Sequence, residues 1–133
     1  MSGKMSTRSR KAKGRSLQNT VVSKLYSVAE RALHISFLSK GDIKGAIMGE
    51  TGADIKFSPA AQKVFPFNIE CKNQEKFKGI YDAYAQCQEH EGSHESIVII
   101  KMNRQKPLAI MDLDYFLEIY SESLQHTGES NDD

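Results

Sequence analysis

Cysteine is scarce in this chain. Its 133 residues include two, Cys71 and Cys87, which form no CxxC pair. That argues against a disulfide framework or a cysteine-ligated zinc site and fits a reducing, cytosolic compartment. Long apolar runs are also missing: none approaches the ~18 residues that span a bilayer. The amino terminus is basic but has no apolar stretch behind it, so it does not read as a secretory signal. The four histidines, His34, His90, His94 and His126, show neither metal nor triad spacing. Acids are absent from residues 1–15, which carry Lys4, Arg8, Arg10, Lys11, Lys13 and Arg15. Bases are absent from residues 128–133, which carry Glu129, Asp132 and Asp133. On a chain of net charge +1, such a basic arm points either to a nucleic-acid backbone or to a solubilising tail.

Hydrophobic residues make up 39% and charged residues 26%, enough for one soluble domain with a modest core. Residues 1–14 lack periodicity and read as a disordered basic arm. Ser16 is a candidate cap for a helix whose apolar stripe is Leu17, Val21, Val22, Leu25, Val28, Ala29, Ala32 and Leu33. Gln18 falls inside that stripe, a polar group aimed inward. Glycines at 41, 45, 49 and 52 frame two short strands, roughly 42–48 and 53–57, with a turn at Gly49–Gly52. Ser58–Lys63 reads as a loop or one helical turn. A third strand follows over roughly 64–72. Asn73 is placed to cap a helix over about 74–90, with Phe77, Ile80, Tyr81, Tyr84 and Cys87 on its apolar face. Ser96–Met102 reads as a strand covered on both faces, and Pro107–Met111 as an edge strand. Asp112 or Asp114 starts a last helix through Tyr120, and 122–133 read as a flexible acidic tail. The expected fold is α/β in the order α-β-β-β-α-β-β-α. Three strands in succession suggest a meander, and the later strand–helix–strand connection suggests a parallel crossover, giving a mixed central sheet flanked by helices.

The chemistry concentrates in the third strand. With side chains alternating between faces, Phe67, Ile69 and Cys71 share one side, while Asn68, Glu70 and Lys72 share the other. Asp54 lies on the preceding short run. Two carboxylates and a lysine at strand ends suit a hard divalent cation and attack on a phosphodiester. An isolated Glu-x-Lys triplet is more often a surface ion pair of little energetic value.

Asp54, then Glu70-Cys71-Lys72, in this order of elements, resembles the PD-(D/E)xK nuclease superfamily over residues 15–121. The small archaeal-type Holliday-junction resolvases and related phage nucleases are the nearest branches. Ala53 stands where the family has proline. Gln18 stands where those resolvases carry a first-helix acid, which lowers the charge available for a second metal. The resemblance implies a restriction-endonuclease-like core and a Mg²⁺-dependent DNA endonuclease, with Mn²⁺ able to substitute. Asp54, Glu70 and the Cys71 backbone carbonyl would hold the metal, and Gln18 and Lys72 would complete the catalytic set. Lys11, Lys13, Arg15, Lys56, Asn73, Gln74 and Gln86 are candidate DNA contacts. The implied partner is branched or four-way DNA, cut by a homodimer, in the cytoplasm of a host if phage-encoded and without a membrane. The alternatives are a repair or restriction-like nuclease on duplex or single strands, an inactive DNA-binding module of the same fold, and a small interaction protein whose arm binds RNA. Tyr81 and Tyr84 read as core rather than as a stacking platform, and Asp112 and Asp114 as helix caps.

Overall fold

The computed structural model describes residues 6–34, 38–90 and 92–129. The chain divides into two compact units, one formed by the residues up to Asn73 with those from Leu124 onward, the other by Gln74–Ser123.

The first unit is built on α1 (Thr7–Leu33), β1 (Ile43–Gly45), β2 (Ile55–Phe57) and α2 (Pro59–Val64). Helix α1 begins at Ser6, whose hydroxyl accepts from the Ser9 amide at 3.1 Å. It ends at His34, in the left-handed region with φ 50°. Its buried stripe is Val21, Leu25, Val28, Ala29 and Ala32, packed on β1. Burying a Val or Leu of this stripe contributes about 1.5–3 kcal/mol. Tyr26, beside that stripe, ties α1 to the start of β1: its hydroxyl donates to the Ser39 carbonyl at 2.8 Å and accepts from the Ile43 amide at 3.0 Å.

Strands β1 and β2 pair antiparallel, Gly45 opposite Ile55. Asp42, entering β1, accepts from the Ser39 amide at 2.5 Å. Hydrogen bonds from the Ser58 side chain and the Ser39 backbone hold its carboxyl below the usual carboxylate range. Ser58 in turn caps α2 through the Ala61 amide, with Pro59 in the first turn, where a missing N–H costs nothing. Phe65, fully buried, stacks on Phe57 with centroids 5.9 Å apart. The Gln62 side-chain amide donates to the Phe65 carbonyl at 2.6 Å and ends the helix.

The second unit holds a 3₁₀ turn (Glu75–Phe77), α3 (Lys78–Gln88), β3 (Ile97–Ile100), β4 (Leu108–Met111) and the start of α4 (Leu113–Glu129). β3 and β4 pair antiparallel, with Ile97 opposite Met111. Asp112 caps α4, its carboxylate accepting from the Tyr115 amide at 2.9 Å.

The α/β character agrees with the sequence. The sheet does not: the described residues form two separate two-stranded antiparallel sheets, not one mixed sheet with a parallel crossover. Residues 64–72 are not a strand. Val64 closes α2, and Phe65–Gln74 is irregular. α1 starts at Thr7, well before Ser16, which lies inside it, so residues 7–14 are helical rather than disordered. Gln74 rather than Asn73 precedes the 3₁₀ turn, without a side-chain cap bond. The Ser96–Met102 run is not covered on both faces, since Ile99 is 64% exposed. α4 continues to Glu129, through part of the expected tail. Tyr81 is 71% exposed, whereas partial burial, then the negative charges of Asp112 and Glu95, push the Tyr84 phenol up.

Candidate functional site

The site is assembled by backbone pairing in the first unit. The Ala46 amide donates to the Asp54 carbonyl at 2.8 Å, continuing the β1–β2 ladder past Gly45. On its other side, the Asp54 amide donates to the Ile69 carbonyl at 3.0 Å, and the Ile55 amide reaches the same oxygen at 3.4 Å. The Asp54 carboxylate closes the link: its Oδ2 accepts from the Cys71 amide at 2.7 Å. Residues distant in sequence are thereby joined by one side chain.

The expected two-residue alternation persists beyond these bonds. Phe67, Ile69 and Cys71 are half-buried, while Asn68, Glu70 and Lys72 are exposed. Burial pushes the Cys71 thiol up, and the negative charges of Asp54 and Glu70 beside it push the same way. Both carboxylates thus act on one residue, and the thiol stays protonated and unreactive. Glu70 and Lys72 form no ion pair with each other among the described residues; both are exposed.

Gln18 reaches this region from α1. A Cβ placed on Gly45 would lie 2.6 Å from Gln18 Oε1 and 3.3 Å from Gln18 Cβ. The side chain therefore lies flat against β1 at the residue facing Ile55, next to Asp54 in the ladder. Gly45 is the residue that sequence inspection missed. Its signal was a glycine inside a strand pattern, which marks close backbone approach.

Cations surround the helix start. Arg8, Lys11 and Arg15 are exposed and stand at i, i+3 and i+7, and Gln18 follows at i+10. This spacing puts all four along one flank of α1. Lys13 lies on another face. Arg8 is not among the expected contacts, although its spacing from Lys11 and Arg15 marks it. Lys56 also plays a structural part. Its ammonium donates to the Thr51 carbonyl and closes the β1–β2 turn. Asn73 is exposed. Gln74 and Gln86 belong to the second unit and are exposed there.

The donor set suits a hard cation: the Asp54 carboxylate, the Glu70 carboxylate and the Cys71 carbonyl are all oxygens. Among the described residues no group of three or more His, Cys, Asp or Glu side chains could hold a metal ion, so a cation here would depend on two carboxylates, a backbone oxygen and solvent. The recess along α1 lined by Ala12, Arg15, Asn19 and Ser23 has none of these donors. Among the described residues no helix is long and apolar enough to cross a membrane. Comparison with protein-family models, curated proteins and solved structures finds no match.

Proposed function

We propose that the chain is a Mg²⁺-dependent deoxyribonuclease of the PD-(D/E)xK type that acts on branched DNA. The carrying observation is the 2.7 Å bond from the Cys71 amide to Asp54 Oδ2. It brings the first carboxylate against the Glu70-Cys71-Lys72 segment. The order of helix, two strands, short helix, extended segment and helix is compatible with a restriction-endonuclease-like core.

In this reading Asp54, Glu70 and the Cys71 carbonyl hold the cation. When bound, it supplies Lewis-acid stabilisation of charge developing on the phosphate. Lys72 is exposed and available to orient a water for in-line attack or to take its proton. It can equally offset the charge of the pentacoordinate transition state. Gln18 offers an amide oxygen without charge, which favours a single metal. Arg8, Lys11 and Arg15 fix the DNA backbone without reading its sequence. Symmetric cuts in a four-way junction need two such sites, hence a homodimer. Mn²⁺, also an acceptor of hard oxygen ligands, substitutes for Mg²⁺.

Asp54→Asn and Lys72→Ala should each lower cleavage by about 100-fold or more, while four-way junction binding stays within a few-fold of wild type. The measurement is a cleavage panel of junction, flap, nicked, duplex and single-stranded substrates with EDTA controls. Undiminished cutting by either variant removes the site assignment. One observation favours a second reading, a binding module of the same fold: the position of the family's acid holds a neutral Gln18 laid against Gly45. A wild type that binds junctions and cuts nothing in Mg²⁺ or Mn²⁺ would select it.

A further inference from the structure

The loop between β1 and β2 carries two large apolar side chains into solvent. Ile47 is 75% exposed and Met48 70%. An exposed isoleucine alone needs no explanation. Two in succession, on a hydrogen-bonded tip set beside the candidate site, do.

The turn is closed by hydrogen bonds. The Glu50 amide donates to the Ile47 carbonyl at 3.0 Å, and Glu50 Oε1 accepts from the Ile47 amide at 2.9 Å. Gly49 and Gly52 adopt φ +85° and +97°, values that L side chains seldom reach. The Lys56 ammonium ties back to the Thr51 carbonyl. The one carboxylate at the tip, Glu50, is thus engaged in holding the turn. Placement is explicit. Ile47 and Met48 are one and two residues beyond Ala46, whose amide is bonded to the Asp54 carbonyl. Two residues of chain reach at most ~7 Å, and a DNA strand advances ~3.4 Å per nucleotide.

We propose that Ile47 and Met48 form an apolar wedge that enters the base stack one or two nucleotides from the phosphate that would be attacked beside Asp54. The occupant is a base step of DNA, because the tip adjoins a phosphodiester site and the cationic flank of α1 leads to the same strand pair. Apolar side chains inserted between base steps unstack and kink DNA. Unstacking costs least at mismatched or already open positions, so the wedge selects branch points over continuous duplex. The proposal rests on the nuclease reading of Asp54, Glu70 and Lys72.

The test compares wild type with Ile47→Ser/Met48→Ser, on junctions carrying 2-aminopurine at each nucleotide near the branch, with Ca²⁺ replacing Mg²⁺ to separate binding from cutting. Wild type should raise the probe's fluorescence several-fold at one or two positions. The double variant should keep the wild-type thermal midpoint, bind within about threefold with the same salt slope, and lose the enhancement. In Mg²⁺ it should cut an intact junction at least tenfold more slowly. It should cut a junction with a two-nucleotide mismatch at the probed position within twofold of wild type. An enhancement retained by the variant, or absent from bound wild type, overturns the wedge. So does loss of binding altogether, and so does a change in sedimentation, which would assign the tip to contacts between copies of the chain. If wild type cuts and the variant cuts both junctions equally well, the nuclease reading stands and the wedge alone falls. If wild type neither binds nor cuts DNA, both fall.

Discussion

Gly45 and Gln18 illustrate how much one missing methyl decides. The strand residue has no side chain, so the helix residue can lie against its backbone with Oε1 where a Cβ would be 2.6 Å away. Gly45→Ala must turn the Gln18 amide aside and bring its methyl against Gln18 Cβ at 3.3 Å, at a cost of about 1 kcal/mol. Denaturant unfolding should show that loss. Adding Gln18→Ala should recover most of it, because the shortest approach is to the amide oxygen. If the two changes simply add, Gln18 does not lie where the strand needs it to. Helical spacing alone makes Gln18 visible as an inward polar group. It cannot reveal the partner, because no local pattern connects residue 18 to residue 45. Lys56 marks the same limit from the other side. Its position on a short strand suggests a DNA contact, and only three-dimensional proximity to Thr51 shows that the ammonium also closes the turn.

At the scale of the element, α1 unites two functions that the sequence shows separately. From Val21 onward it is a core helix. Before that it is a cationic overhang in which Arg8, Arg10, Lys11 and Arg15 are exposed. Sequence places the boundary too late because Ser16 and Ser6 are equally good caps by type, while alanine, lysine and arginine are good helix formers that carry the helix back past Ser16. The rigid extension lets the flank of Arg8, Lys11 and Arg15 run into Gln18. Replacing these three with Gln should weaken DNA binding and flatten its dependence on salt. The log–log slope should fall by about 0.9 for each duplex phosphate no longer neutralised. Lys24→Gln, a change farther along the helix, should leave the slope nearly unchanged. Titrations at several salt concentrations decide it, and equal slopes for the triple variant and wild type would exclude this flank from the interface. Residues 67–72 teach a related lesson. Their alternation is legible and survives as burial, but the ladder shrinks to bonds through Ile69 and Asp54, since pairing depends on register with residues far away.

Across the whole molecule, burial is concentrated unevenly. Among the described residues, the first unit buries Val21, Leu25, Val28, Ala29, Ala32, Ile43, Ile55, Ala61, Val64 and Phe65, whereas the second buries Leu117 alone among apolar side chains. The apolar run Ile97–Ile100 states that this strand calls for cover on both faces. It does not state what supplies the cover, and Ile97, Ile99 and Leu108 are exposed here. Regions with few buried apolar neighbours open at lower free energy than the core. In native-state hydrogen exchange, the β3 and β4 amides should therefore be protected at least about tenfold less than those of Val21–Ala32, a difference of about 1.4 kcal/mol or more. DNA confined to the first unit should raise protection at Gly45–Cys71 and leave that of β3 and β4 unchanged. Equal protection of the two regions in the free protein would contradict the exposure of Ile97 and Ile99. It would mean that in solution this sheet face is covered, and dilution would then identify the cover: protection that falls with protein concentration requires a second copy of the chain, and protection that does not requires cover from within it.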